Sequence, residues 1–399
     1  MTTALRQRVQ TGLEVLIAQN FRPLAGRRVG LVTNPTGVLP DLRSTVDVLA
    51  SATSGVTLRA LFGPEHGVRG DVPAGRYVAS SRDGQTGLPV FSLYGRTKTP
   101  TAEMLRGLDA LVFDIQDIGS RSYTFLSTLG NVMEGCAAHK IPLVVLDRPN
   151  PLGLLRVEGG PTEPNFRSFV GKYPVPYLHG MTLGELARMI NGRGWLPGGR
   201  TCELTVVPCR NLSRGQATWA TMGGLPWVPT SPHVPHPETA HFYALTGIVG
   251  ELPALSIGVG YTLPFELAGA PGLRALGLAR ELTRRRLPGL SFRPMTWTPF
   301  YATHKGSACG GVQIHLDDPA RAPLSRVNFE LMDAVRRLDP KRAFFTSSAS
   351  TKMFDLVCGT DRIRRAFQAG ASGARLWELW NQGRDGFVAA RRPYLLYPA

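Results

Sequence analysis

Long apolar runs, paired cysteine motifs, lysine and phosphate-binding glycine loops are scarce or absent in this chain of 399 residues. Each gap closes a class of function. No stretch approaches the roughly 18 apolar residues that cross a bilayer, so neither a spanning segment nor a membrane partner is expected. The five cysteines, Cys136, Cys202, Cys209, Cys309 and Cys358, form no C-x-x-C pair. An odd number is a poor disulfide framework, and buried free thiols are expected. No G-x-G-x-x-G follows the first apolar run and no G-x-x-x-x-G-K-[ST] occurs, so no nucleotide cofactor is expected. A G-x-S-x-G nucleophile turn is missing too. His233-x-x-His236 with His241 suggests a metal, but the intervening prolines make the spacing non-helical and no third-ligand motif follows. No metal and no other cofactor are expected.

What is present is a globular composition, 43% apolar and 19% charged, with 45 basic against 29 acidic residues and a net charge of +16. Such a field attracts polyanions, whether nucleic acid, anionic wall polymer or acidic sugar. The arginines are scattered rather than aligned in a stripe, and Arg-heavy usage also follows from genome composition alone, so a nucleic-acid partner is not expected. Leu5, Val9, Leu13, Leu16 and Ile17 recur at helical spacing and suggest a surface helix. No basic start leads into a continuous hydrophobic segment, so no signal peptide is visible, and the compartment stays open between cytoplasm, periplasm and secretion.

The first 150 residues repeat one pattern, a short β-branched run, a polar loop and a helical segment. The runs are 28–33, 56–62, 110–115 and 143–146; the helical intervals are 44–52, 101–106 and 123–139. Continuous apolar strands alternating with helices argue for a doubly wound α/β domain built on a parallel sheet. After Pro149-Asn150-Pro151 the alternation lapses, which sets domains at 1–160 and 161–399. In the second part Thr182-x-x-Glu185 is a capping box, 202–207 and 312–316 look like strands, and 361–391 is a helical block. The Pro-rich stretch 221–241 is too long for a plain connection and reads as an ordered functional loop or interdomain arm.

Ligands of open parallel sheets sit outside the carboxyl ends of the strands. Here those exits begin at Asn34, at Gly63-Pro64-Glu65-His66-Gly67-Val68-Arg69-Gly70-Asp71, at Asp114-Ile115-Gln116-Asp117 running to Tyr123, and at Asp147-Arg148-Pro149-Asn150. Carboxylates, amides and arginines converging there suit general acid/base chemistry on a polar substrate such as a sugar. Glu65 is the sharpest candidate, because Gly63, Pro64 and Gly67 permit a tight turn that holds one geometry. It reads either as a general acid or as a cap for backbone amides. His66 would assist it or be structural. Asp114 and Asp117 with Arg121 read as catalytic carboxylates or as an ion pair pinning the loop, and Asp147-Arg148 with Asn150 as a substrate loop or a braced turn. Trp195, Trp219, Trp227, Tyr261 and Trp297 would stack on sugar faces or fill core.

Four segments carry a resemblance: Leu61 to Gly67, Thr86 to Gly95, Phe113 to Thr124 and Leu146 to Pro151. Together with His179 to Ala187, Pro264-Phe265-Glu266, Phe292-Arg293-Pro294 and the ending Arg392 to Tyr397, they resemble the exo-β-N-acetylmuramidase family over almost the whole chain. The resemblance implies a Rossmann-like domain joined to a smaller α+β domain, with the active site in the cleft between them. It also implies release of N-acetylmuramic acid from the non-reducing end of peptidoglycan fragments, by a monomer or homodimer. It makes Glu65 the catalytic residue; the second role is open between Asp117, Asp114 and the substrate's own acetamido group with an Asp orienting it, and His66 would assist. Asn34, Arg69, Gln116, Arg121, Tyr123, Asp147, Arg148, Asn150, His179 and His233 would bind the saccharide, and an arginine fork would suit the lactyl carboxylate of muramic acid. Two stretches depart from the family. Its Ser-Glu-Gly-Arg-Gly-Thr-Thr reads Ser256-Ile257-Gly258-Val259-Gly260-Tyr261-Thr262 here, and its Pro-Ser-Pro-Asn reads Thr230-Ser231-Pro232-His233. Loss of the acid and the arginine leaves a catalytically reduced binding protein for wall saccharides as the alternative.

Overall fold

A computed structural model describes residues 8–52, 55–70, 81–216 and 219–399; Leu5 and Asp71 lie outside them. Among the described residues seven strands form the first sheet: β1 (Arg28–Thr33), β2 (Thr57–Gly63), β3 (Ser81–Arg82), β4 (Pro89–Ser92), β5 (Ala110–Asp114), β6 (Leu143–Leu146) and β7 (Leu204–Val207). Their spatial order is β3-β4-β2-β1-β5-β6-β7, all parallel except the short edge strand β3. The chain first winds outward from β1 through β2 to β4 and then returns to start again at β5. This reversal beside β1 is the switch point at which doubly wound sheets form their crevice. β1, β5 and β6 are almost wholly buried, as a sheet covered on both faces requires. Gly30 is a packing glycine, because a Cβ there would come within 3 Å of Leu111, Phe62 and Leu108.

Helices α1 (Gly12–Ala18), α2 (Thr45–Ala50), α3 (Ala102–Leu105), α4 (Phe125–His139) and α5 (Leu183–Gly192) accompany this sheet. The expected surface helix at the N-terminus is corrected. Leu13 and Leu16 are fully buried, α1 packs on β6 and β7, and a Cβ on Gly12 would lie 2.4 Å from the Asp147 nitrogen. An amphipathic period shows that one face is apolar but not how deeply the helix sinks. The capping box at α5 forms as expected, with Thr182 Oγ1 accepting from the Glu185 amide at 3.2 Å.

The chain then builds α6 (Thr239–Thr246), β8 (Leu267–Ala270), α7 (Ala275–Thr283), β9 (Leu290–Trp297), β10 (Cys309–Leu316), α8 (Arg326–Leu338), α9 (Ser348–Cys358), α10 (Arg362–Gln368), α11 (Gly373–Trp380) and α12 (Arg384–Ala390). The three strands form an antiparallel sheet in the order β8-β10-β9. The helical block expected over 361–391 is three short helices. β7 lies beyond residue 160 and yet completes the first sheet.

The second body sits on the strand exits of the first. Its core includes Ile118 and Leu152, which come from the loops after β5 and β6. Arg121 reinforces the junction. It is fully buried, and its guanidinium donates to the carbonyls of Val175 (2.8 Å), Gly160 (3.2 Å) and Val357 (2.7 Å). Val357 is in the last turn of α9, where unpaired carbonyls carry partial negative charge and favour a cation. Burial lowers Arg121 to about 10, and it remains a cation at neutral pH.

Candidate active site

Glu65 follows β2 in a turn closed by the Gly67 amide, which donates to the Pro64 carbonyl at 3.0 Å. His66 within that turn has φ 72°, a left-handed conformation that costs a non-glycine residue about 1–2 kcal/mol. The turn carries the Glu65 carboxyl toward the start of α4. There Thr124 Oγ1 donates to Glu65 Oε2 at 2.8 Å. The Tyr94 hydroxyl is a second partner. Burial, and then the Glu65 charge, pushes Tyr94 up to about 12, so it stays a protonated donor.

The facing wall comes from the second body. Tyr243 on α6 places its hydroxyl 2.9 Å from Ser122 Oγ and packs edge-on against Tyr123 and Phe265. Tyr123 donates to Thr230 Oγ1 at 2.7 Å. Phe265, at φ 68°, is clamped: its amide donates to the Ile257 carbonyl at 2.7 Å, and its carbonyl accepts from Thr246 Oγ1 at 2.9 Å. With Ser231, His233, Val234 and Phe125, these groups line a partly open cavity of about 160 Å³ against Glu65 and His66. The stretch 221–241 is thus ordered and supplies part of the wall. His233 stacks on Tyr301 and shares a 3.1 Å hydrogen bond with its hydroxyl. Burial, and then the charge of His66, lowers the His233 pKa, so it is neutral at pH 7.

Asp117 stands close to this aromatic wall. Burial raises both Tyr123 and Tyr243, and the Asp117 charge adds to the rise. Its Oδ2 accepts from the Gly119 amide at 2.8 Å, whereas Oδ1 is buried with no partner. Burial pushes Asp117 up to about 7, so near neutral pH it is divided between acid and carboxylate and can give or take a proton. Among the described residues no group of three or more His, Cys, Asp or Glu is placed to hold a metal ion.

The other sequence candidates hold loops in place. Arg148 forms a two-pronged buried ion pair with Asp114, whose Oδ2 also accepts from Thr45. Asn34 Oδ1 accepts from the amide and hydroxyl of Thr36, and Gln116 Nε2 donates to the carbonyls of Asp117 and Pro149. Asp147 accepts from Thr182, Tyr397 and the Gly184 amide at the start of α5, with burial raising it to about 6. Asn150 bridges the Met181 carbonyl and the Leu152 amide. His179 accepts from the Met181 amide and is lowered to about 3 by burial. Arg69 pairs with Asp83, 2.8 Å away. Arg69, Arg121 and Arg148 are therefore engaged with protein groups, and among the described residues no arginine lines the cavity.

Sequence reasoning missed Thr124, Ser122, Tyr94, Tyr243 and Phe265. The first three lie inside segments that carried the resemblance, and Pro264-Phe265-Glu266 was noted without a role. Tyr243 has no local signal, because it reaches the cavity only through the docking of the second body.

A doubly wound domain capped at its strand exits by an α+β body, with a carboxylate held between hydroxyl donors in the junction, is the architecture of a cleft enzyme acting on a polar substrate. Two family profiles together span nearly the whole chain, exo-beta-N-acetylmuramidase NamZ, N-terminal, over 29–238, and its C-terminal counterpart over 241–397. The chain belongs to this exo-β-N-acetylmuramidase family of glycoside hydrolases. It is 40% identical over 395 residues to the peptidoglycan beta-N-acetylmuramidase NamZ of Bacillus subtilis strain 168, covering 99% of this chain and 93% of that protein. Two crystal structures of DUF1343 family proteins from Bacteroides fragilis share the fold. One has TM-score 0.93 at 47% identity and the other TM-score 0.78 at 30%, each covering 98% of this chain and 99% of its own.

Proposed function

We propose that the chain is an exo-acting hydrolase that releases N-acetylmuramic acid from the non-reducing end of peptidoglycan fragments, with Glu65 as general acid/base. The observation that carries this reading is the Glu65 carboxyl, held by Thr124 and Tyr94 and facing a small, partly open cavity. A cavity of about 160 Å³ suits a single terminal residue rather than a run of several sugars. Asp117 is the second group. It lies behind Tyr123 and Tyr243 rather than in the cavity lining, and with one oxygen unpartnered and its pKa raised to about 7 it can hold or exchange a proton there. His66, Tyr123 and His233 contact the sugar from the cavity wall, and the remaining candidates position the loops.

One observation favours the binding-protein reading. Ile257 is buried in the core of the second body, and Val259 packs against the same core, where the family resemblance expects an acid and an arginine. The backbone there still clamps Phe265, so the cavity wall survives the change. Hydrolysis of a chromogenic β-N-acetylmuramide, with the β-N-acetylglucosaminide as control, separates the readings. Turnover of the muramide alone supports the hydrolase, and binding without turnover supports the alternative.

A further inference from the structure

Phe300 is 67% exposed and Tyr301 49% exposed, and they are adjacent on the connection between β9 and β10. The other exposed large hydrophobic side chains among the described residues are aliphatic and scattered. Leaving a Phe side chain in water forgoes about 1.5–3 kcal/mol of burial, and paired exposed aromatics commonly mark a binding surface.

This connection is rigidly mounted. The Phe300 amide donates to the Gly260 carbonyl at 2.7 Å, and the Gly306 amide closes the loop onto Pro299 at 2.9 Å. Gly260 is needed there, since a Cβ would fall 2.0 Å from the Tyr301 carbonyl. Tyr261 stacks under Phe300, centroids 5.8 Å apart and planes 19° apart, and itself packs on the cluster of Leu267, Trp297 and Cys309. Tyr261 belongs to the stretch that departs from the family, so this support is a feature of the present chain. The rings also connect to the cavity: Tyr301 stacks on His233, which lines the same cavity as Glu65.

We propose that Phe300 and Tyr301 form a stacking platform for the leaving sugar, an N-acetylhexosamine on the reducing side of the scissile bond. This rests on the hydrolase reading above. If the terminal residue fills the cavity, the rest of the chain must leave past its wall, and Tyr301 stacks on His233 of that wall. A pyranose with equatorial substituents presents axial C–H groups on each face, which suit an arene face, while the Tyr301 hydroxyl and the His233 ring serve the sugar's hydroxyls at the edge.

The test has a binding arm that needs no turnover. Methyl β-N-acetylglucosaminide and the β-1,4-linked GlcNAc trimer are titrated against the full chain by NMR. Phe300→Ala and Tyr301→Ala are expected to weaken binding about 3- to 10-fold, the scale of one aromatic stack, and Phe300→Trp to restore it. The kinetic arm compares the MurNAc-GlcNAc disaccharide with muramyl fluoride, whose leaving group has no face to stack. The ratio of their kcat/KM values should fall by the same factor in Phe300→Ala. Unchanged GlcNAc binding in both alanine variants would overturn the platform, as would equal loss on both substrates. So would a concentration-dependent dimer that dissociates in Phe300→Ala while sugar binding persists, which would assign the patch to a second copy. Failure of the hydrolase reading looks different: no turnover of either substrate, with the binding arm still deciding the platform.

Discussion

Thr124 Oγ1 donates a 2.8 Å hydrogen bond to Glu65 Oε2. The two residues come from different strand exits, one after β2 and the other at the start of α4, so this contact fixes the carboxyl relative to the loop that carries Asp117 and Tyr123. We predict that Thr124→Val lowers kcat by about 10- to 100-fold with little change in KM, because misplacement by about 1 Å costs that much. Thr124→Ser should restore most of the loss. Steady-state kinetics on the disaccharide would read both; equal rates in Thr124→Val would show the contact to be incidental.

Asp117 carries a pH signature. Its folded pKa is raised to about 7 from 3.8, so the folded protein keeps this proton over a range in which the unfolded chain has lost it. The group's contribution therefore falls as pH rises from about 4 to 7, and the full penalty is present above that. Asp117→Asn should flatten this slope, with the gap between variant and parent changing by on the order of a few kcal/mol between pH 4 and 8. Asp147 contributes in the same direction, so the comparison must be made between these two proteins. Parallel urea-denaturation profiles across that range would contradict the assignment.

Arg121 predicts a stability effect without a role at the reacting bond. Arg121→Ala removes the donor to three buried carbonyls and should cost about 3 kcal/mol or more. Arg121→Lys recovers the charge but not the fork and should recover only part of that. Chemical denaturation measures both.

Gly119 has φ +82°, and a Cβ there would fall 2.1 Å from Asn150 Oδ1. Gly119→Ala should therefore displace the loop that donates to Asp117, costing about 1–3 kcal/mol and lowering turnover together with stability. An alanine variant matching the parent in both would refute the close approach.

These contacts show why some parts of the molecule were legible in sequence. The strands β1, β5 and β6 read as nearly continuous apolar runs because both faces of the sheet are covered, β2 reads so after Arg59, and their exits then pointed to Glu65. β3 escaped because two residues at the sheet edge carry too little pattern, and β4 because Pro89–Ser92 opens on a proline and alternates in burial instead of forming a continuous apolar run. β7 was seen as a strand, but its place beside β6 depends on pairing across about 60 intervening residues. At the site, an Asp and an Arg after parallel strands read alike whether they meet substrate or each other, and Asp114 and Arg148 meet each other. Residues such as Tyr243 and Phe265 carry no local sign of their task, since only the packing of one body on the other brings them to Glu65.

We propose above that Glu65 moves the proton in glycoside cleavage. The most direct measurement is kcat/KM of the parent and Glu65→Gln on MurNAc-GlcNAc, with binding of the same disaccharide to the variant measured separately. A loss above about 100-fold is expected, with binding kept within a few-fold, since the amide preserves shape but cannot exchange the proton. A Glu65→Gln protein that turns over at a rate close to the parent would contradict it.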